Sequence, residues 1–222
     1  MTKVADAYTD AYFETRNCTD RKRLASFMRE KEFLLRHVSL TGVVCDVGCS
    51  TGEFLTTIDW LGDKYGMEVN ATAIGLAQKS GIRFDKSILT EKEFFDAVIF
   101  RGTVQHLLEP FLYIARAFDA LKHGGFLVFL ATPNANSVTY KLFNTLPALE
   151  PEQNFYIPSD ITLANVLRHL DFEVVEIQYP YLSSPYARPA RDHVAFVASL
   201  ILAREPRYPF WRNMMNVIAR KA

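Results

Sequence analysis

The sequence predicts an α/β fold: a doubly wound, mainly parallel sheet with helices on both faces, three layers in all. Short apolar runs, VVCDV (43–47), YGMEV (65–69), DAVIFRG (96–102) and FLVFLAT (126–132), alternate with helix-forming stretches. Strands buried on both faces of a parallel sheet read as such runs. The connections between them are short, as strand–helix–strand crossovers require. A different rhythm closes the chain, where FEVVEIQYPY (172–181) and MMNVIARK (214–221) flank a long connection. Two late strands so separated suggest an antiparallel edge pair on the parallel sheet.

Taken in order, residues 1–20 are polar with Tyr8, Tyr12 and Phe13 interspersed. From 21 to 38, Leu24, Phe27, Met28, Leu34, Leu35 and Val38 fall at three- and four-residue steps, interrupted by Lys31. That is the stripe of an amphipathic helix. VVCDV closes in the turn CSTG, and a helix is expected from 53 to 64. YGMEV is the second strand and 71–79 the next helix. GIRFDKSILTEKEF (81–94) holds one short strand or a turn. DAVIFRG follows, then a helix from Pro110 to Leu121, stopped by HGG (123–125). After FLVFLAT the chain becomes loop-rich and aromatic. Ser159 or Asp160 caps a helix reaching Leu170, and an apolar helix is expected over 193–203. We read a single domain, 1–222, with a helical arm (1–40), a first half (41–134) and a second half (135–222) bearing inserts at 135–158 and 182–212.

Composition narrows the function. Lys and Arg number 25, as do Asp and Glu. Without net charge there is no global basic field of the kind nucleic-acid binding uses, so nucleic acid is not an expected partner. Hydrophobic residues make up 49% of the chain, enough to bury a core without staples. Cys18, Cys45 and Cys49 are too few for a disulfide scaffold, and no His or further Cys completes a zinc set around the C-x3-C pair. Buried thiols and no metal are expected. The longest strongly apolar run, Val194 to Ala203, is about half of the roughly 20 residues a membrane helix needs. MTKVADAYTDAYFE lacks the apolar core of a signal peptide, so a cytoplasmic protein without a membrane span is expected. A homodimer is left open. The 17 Phe and 10 Tyr fall partly in the core runs and partly in the arm and the two inserts.

Four segments carry chemistry. In VVCDVGCSTGEFL (43–55) a strand ends at Asp46 and a helix begins after Gly48, Ser50 and Gly52. Small residues there let a ligand approach the backbone, and the helix start offers N–H groups. The dinucleotide fingerprint needs glycine at 48, 50 and 53; Ser50 and Glu53 break it. Glu68 stands at the end of the second strand, 16 residues after Gly52, where a carboxylate can accept both hydrogen bonds of a ribose diol. FFDAVIFRGTVQHLLEP (94–110) and LKHGGFLVFLATPN (121–134) then place QHLLEP and TPN at successive strand ends.

This ordered set resembles the class I S-adenosylmethionine-dependent methyltransferases. Asp-x-Gly-x-Ser-x-Gly is similar to their acid-x-Gly-x-Gly-x-Gly motif, with Ser50 for the middle glycine. QHLLEP resembles a loop that often reads EHL-x-x-P, with Gln105 for Glu, and LKHGG…TPN, SDITLANVLRHLDFEVVEI and NVIARK resemble later family segments. The likeness covers about 41–181 and 213–221. It implies a Rossmann-like sheet of seven strands whose last member is inserted antiparallel. It also implies S-adenosylmethionine as cofactor, left as S-adenosylhomocysteine. The first half would then hold the cofactor: Asp46, Gly48, Cys49, Ser50 and Gly52 at its methionine end, Glu68 and Val69 at the ribose, Ser87 and Ile88 at the adenine, and Arg101 and Gly102 beside the methionine.

The acceptor is expected to be a small molecule, with O-methylation of a sugar, nucleotide-linked sugar or related hydroxyl ahead of N- or C-methylation. The branch it most resembles acts in surface-glycan and natural-product pathways. A member that binds cofactor without catalysis is the alternative outside the enzymes. The regions outside the core supply the reasons. Aromatics sit beside hydroxyls, and Arg188, Arg191, Arg204, Arg207 and Arg212 cluster late. Tyr12, Tyr140, Tyr156, Arg188 and Arg191 are the candidate substrate residues. A hydroxyl must lose its proton as the methyl arrives, and His106, in the loop after DAVIFRG, is the candidate base.

Overall fold

A computed structural model describes residues 20–146, 153–204 and 211–222. The chain opens with helix α1 (Arg21–Leu34), capped by the Asp20 side chain on the Lys22 N–H. Then come β1 (Val44–Val47), the short α2 (Glu53–Thr57), β2 (Lys64–Met67), α3 (Ala71–Lys79) and β3 (Phe95–Arg101). A 3-10 turn (Val104–His106) leads to α4 (Pro110–Ala120), β4 (Leu121–Pro133) and α5 (Val138–Phe143). The chain ends with α6 (Asp160–His169), β5 (Phe172–Gln178), α7 (Pro189–Leu202) and β6 (Met214–Lys221).

The described strands form one sheet in the order β2-β1-β3-β4-β6-β5. β2, β1, β3 and β4 are mutually parallel, and β6 runs antiparallel to both β4 and β5. The expected late antiparallel pair is therefore present. The seven-stranded expectation is corrected to six among the described residues. Where the third strand was expected, the chain makes only an isolated parallel bridge, Tyr65 to Arg83. Arg83 exchanges two backbone hydrogen bonds with Lys64 and Gly66. The chain then leaves the edge, because the Ser87–Thr90 turn folds it back within four residues.

Strand alternation sorts the core into two layers. Cys45, Val47, Val98, Phe100, Leu127, Phe129, Val217 and Ala219 face one side, against Ile114 and Ala117 of α4 and Leu163 and Leu167 of α6. Val44, Ala97, Ile99, Val128, Leu130 and Ile218 face the other, against Phe27, Phe33 and Leu34 of α1 and Phe54 and Leu55 of α2. Period-two alternation on buried strands places helices on both faces. Two motif segments also meet here: Asp96 accepts the Val43 N–H at 2.7 Å and pairs with Lys122 at 2.8 Å.

Helix limits moved where packing overrode pattern. The helix expected to Lys64 ends at Thr57. Asp59 turns to φ +55° and Trp60 plunges inward, 2% exposed, its indole N–H on the Gly42 carbonyl at 2.8 Å. On α1 the buried face is Phe27, Glu30, Phe33 and Leu34, while Met28 and Leu35 of the expected stripe are exposed. The late apolar helix starts four residues early, with Pro189 in its first turn, where a missing N–H costs nothing. No described helix is long and apolar enough to cross a membrane.

Candidate active site

The parallel strands all end at one edge, and the order reverses between β1 and β3, which is where open α/β sheets bind ligands. The turn after β1 is shaped by three left-handed residues: Gly48 (φ +76°), Ser50 (φ +52°) and Gly52 (φ +74°). Side chains at 48 or 52 would collide, since a Cβ on Gly48 would lie 2.6 Å from Thr103 and one on Gly52 2.7 Å from Ile82. Cys49 is buried with its sulfur over Gly66. Burial pushes both Cys45 and Cys49 thiols far up, so both stay protonated.

Glu68 lies directly after β2 and closes this turn. One of its oxygens accepts the Ser50 N–H at 3.0 Å; the other accepts the N–H groups of Val69 at 2.7 Å and Asn70 at 3.1 Å. A carboxylate has about four acceptor positions, so three backbone donors leave it partly committed. The Val69 side chain is exposed. Ser87 belongs to the turn after the bridge, and Ile88 is buried in the core beside the Cys45 thiol. Ile88 is thus closed off from the surface, its backbone bonded to that thiol.

Asp46 is the most unusual group. It is 2% exposed, one carboxylate oxygen has no hydrogen-bond partner, and burial raises its pKa to about 7 against the pull of Arg101. Glu68 and Glu30 push the same way as burial. Arg101, at the end of β3, is held bidentately by Glu30 of α1 at 2.7 and 3.1 Å. Its guanidinium also lies 4.3 Å from the Phe27 ring centroid and 5.3 Å from that of Phe54. Gly102 follows in a left-handed conformation, φ +58°, and Thr103 packs on Gly48. Asp46, the glycine turn, Glu68, Arg101 and Gly102 are thus brought to one place. Three carboxylates face one guanidinium there.

His106 sits on the 3-10 turn after β3. Its Nδ1 lies 2.7 Å from the Gln153 carbonyl and its Nε2 3.2 Å from the Gln105 amide nitrogen. A carbonyl only accepts, so Nδ1 carries the proton and the Nε2 lone pair receives the Gln105 N–H. The Gln105 backbone carbonyl also accepts the Phe155 N–H at 2.8 Å, which seats the end of the 135–158 insert on this turn. Tyr156 packs edge-on against Phe111 at 5.2 Å, and Tyr140 is half-buried on α5.

Arg188 and Arg191 lie elsewhere along the same edge. They line a cleft of about 640 Å³ between α1 and the segment 178–191, whose walls also include Lys22, Arg101, Ala131, Ser183, Ser184, Tyr186 and Asn216. The substrate candidates therefore form two groups, with Tyr140 and Tyr156 outside the cleft. Tyr12 and Arg207 lie outside the described residues. Glu30, Thr103, Lys22 and Tyr186 were missed. Only Glu30 had a readable signal, a carboxylate at helical spacing from Phe27, Phe33 and Leu34.

The sheet order and the glycine turn define a doubly wound α/β domain with a binding crest at its carboxyl edge. A model of the methyltransferase domain matches residues 16–177, and the chain belongs to that family. It is an S-adenosylmethionine-dependent methyltransferase. No curated protein matches it. Among solved structures it is similar to a methyltransferase of Thermotoga maritima described as a possible histamine N-methyltransferase (TM-score 0.67, 16% identity, 100% of both chains). It is also similar to 1,6-didemethyltoxoflavin-N1-methyltransferase of Burkholderia thailandensis, solved with its substrate and S-adenosylhomocysteine (0.64, 17%, 99% of this chain and 88% of that one). A third likeness is magnesium protoporphyrin IX methyltransferase of Synechocystis (0.60, 14%, 99% and 93%). At these identities the likeness is one of fold.

The residues present fit the cofactor. It is a cation with an ammonium group, and the crest offers an unpartnered buried carboxylate oxygen on Asp46 among three acids and one guanidinium. The turn at Gly48 and Gly52 admits no side chain and leaves its outer surface to a ligand.

Proposed function

We propose that this protein methylates a hydroxyl of a small molecule, in the class of sugars, nucleotide-linked sugars and related metabolites. In this reading the half spanning 41–134 holds the cofactor and the half spanning 135–222 shapes the acceptor side. Asp46 accepts the cofactor's ammonium, Gly48, Cys49, Ser50 and Gly52 line its methionine end, Glu68 and Val69 flank its ribose, Ser87 and Ile88 border the adenine, and Arg101 and Gly102 bound the methionine from β3. The cofactor supplies a methyl already activated by a positive sulfur. The chain's part is to fix the acceptor in line with it, since orientation supplies much of the rate of such displacements.

The observation that carries transfer to oxygen is the state of His106. Its Nδ1 proton is pinned by the Gln153 carbonyl, so its basic nitrogen is Nε2 on the side of the post-β3 turn. A hydroxyl acceptor needs a base so oriented. His106 takes the acceptor proton at Nε2 once the Gln105 amide gives way. A second reading rests on that same amide: if Gln105 keeps the lone pair, the acceptor is a neutral amine, whose nitrogen attacks with its own lone pair and sheds a proton to water after transfer.

The test is transfer of labelled methyl to hydroxyl- and amine-bearing acceptors, by the native protein and by His106→Gln at saturating cofactor. We expect a loss of at least about 100-fold on the preferred hydroxyl acceptor. A loss under about tenfold, or transfer to amines alone, overturns the oxygen assignment.

A further inference from the structure

We propose that the cleft between α1 and residues 178–191 is an anion subsite, and that the acceptor carries a phosphate-type group held there, remote from the methylated atom. This rests on the reading of the chain as a small-molecule methyltransferase and adds the acceptor's chemical class.

The cleft walls carry the cations Lys22, Arg23, Arg29, Arg36, Arg188 and Arg191, with Arg101 at the base, and the carboxylates Glu30 and Glu32. Several of these cations are neutralised in place. Arg23 pairs with Glu53 at 2.6 Å, Arg29 with Glu32 at 3.0 Å, Arg36 with Glu176 at 2.6 Å and Arg101 with Glu30 at 2.7 Å. Among the described residues no carboxylate pairs with Lys22 or Arg188. These two come from opposite walls, one from the first turn of α1 and one from the N-cap of α7. Both adjoin Tyr186. The Lys22 ammonium lies 5.8 Å from its ring centroid, and Arg188 is two residues further along the chain. A ligand between the walls meets one cation from each side that no ion pair occupies, with the Asp20 carboxylate, which caps α1 on the Lys22 N–H, beside the Lys22 wall.

The backbone at Arg188 is anchored. The buried Asp192 carboxylate accepts the Arg188 backbone N–H at 2.9 Å and the Tyr181 hydroxyl at 2.8 Å. Burial, with Asp192 beside it, pushes the Tyr181 phenol up to about 12, so that hydroxyl remains a donor and the anchor persists at any physiological pH. Ser183 and Ser184 add hydroxyls to the same wall. A volume of about 640 Å³ is in the range of small-molecule sites. Convergent guanidinium, ammonium and hydroxyl donors suit phosphate oxygens.

The cleft also joins the reactive crest. Its base is Arg101, one residue from Gly102 and two from Thr103, which touches Gly48. Burial raises the Tyr186 phenol, and Asp20, Arg23, Arg101 and Glu30 all act on it electrostatically. Tyr186 thus lies between the mouth and the crest. A molecule anchored by its anion at Lys22 and Arg188 reaches past Tyr186 to present its other end beside β3.

Calorimetry provides the test. The protein saturated with S-adenosylhomocysteine is titrated with inorganic pyrophosphate, with a hexose 1-phosphate and with the unphosphorylated hexose. The controls are Lys22→Gln and Arg188→Gln, and Arg220→Gln at the far end of the sheet, where Arg220 pairs with Glu173. We expect the phosphates to bind more tightly than the free hexose. Each cleft variant should weaken them by about tenfold, the double variant by more, and Arg220→Gln should leave them unchanged. Equal binding by native protein and cleft variants overturns the subsite, as does no preference for phosphate. S-adenosylhomocysteine affinity, measured in the same samples, separates the two levels. If it is retained while phosphate binding fails, only the subsite is lost. If it is absent from the native protein, the cofactor reading itself fails.

Discussion

Replacing Asp46 by asparagine should stabilise the protein and weaken its hold on the cofactor, with the first effect growing as pH rises. Native Asp46 holds its proton up to about pH 7 because burial disfavours the charge. In the unfolded chain an aspartate releases it near pH 4. The stability this proton confers is complete below the unfolded value and is lost as pH climbs through 7. At 1.36 kcal/mol per unit, moving from two units below the native pKa to well above it removes about 2.7 kcal/mol. The asparagine amide does not titrate, so the melting temperature of Asp46→Asn should gain on that of the native protein between pH 5 and pH 8.5. For a domain of this size the gain is roughly 5–11 °C.

Thermal melts by circular dichroism across that range, without cofactor, measure it directly. Calorimetry then supplies the opposite sign. S-adenosylmethionine should bind the native protein more tightly as pH passes 7 and the carboxylate forms, while the asparagine variant should bind weakly at every pH. Parallel melting profiles for the two proteins would refute the account of a buried, protonated Asp46. A variant with undiminished, pH-dependent affinity would remove Asp46 from the ammonium.

The remaining outcomes concern the same crest. Gly48→Ala should lower the melting temperature by several degrees and impair cofactor binding, because a left-handed backbone costs an alanine about 1–2 kcal/mol and its methyl would sit 2.6 Å from Thr103; an unperturbed melt would show the turn to be pliant. Glu68→Ala should weaken S-adenosylhomocysteine by at least about tenfold in calorimetry, and Glu68→Gln should recover part of the loss only if the backbone contacts of Ser50, Val69 and Asn70 matter. Glu30→Gln leaves the half-buried Arg101 guanidinium without its carboxylate and should cost on the order of 3 kcal/mol in urea unfolding; a loss under about 1 kcal/mol would mean that solvent screens Arg101.

The legible parts of this protein were those with a local cause. Among the parallel strands, β1, β3 and β4 are rich in β-branched, aromatic and other apolar residues, and that pattern stands in the chain itself. MMNVIARK became β6 residue for residue. The third-strand segment failed for the opposite reason. Arg83 can pair with β2, but Asp85 and the Ser87–Thr90 turn draw the chain off the edge before a second pair forms. Helix α2 stopped short because Trp60 finds the Gly42 carbonyl, a contact across 18 residues that no periodicity announces. On α1 the stripe was drawn through Met28 and Leu35, yet the face turned toward Phe33 and Glu30. That face buries Phe27, Phe33 and Leu34 in the core and brings Glu30 to Arg101, 71 residues away.

That pair changes the standing of the N-terminal helix. Phe27 stacks under Arg101, Glu30 neutralises it, and Arg101 in turn tempers the charge on Asp46. The same helix contributes Lys22, Arg23 and Arg29, beside Glu30 itself, to the cleft. Helix α1 is therefore no appendage to a cofactor domain. It sets the electrostatics of the crest with one face and lines the cleft with its neighbour, so a shift of α1 by a fraction of a turn would alter both. Catalysis by orientation needs the two reactants referred to one frame, and Arg101, held between α1 and the end of β3, supplies it.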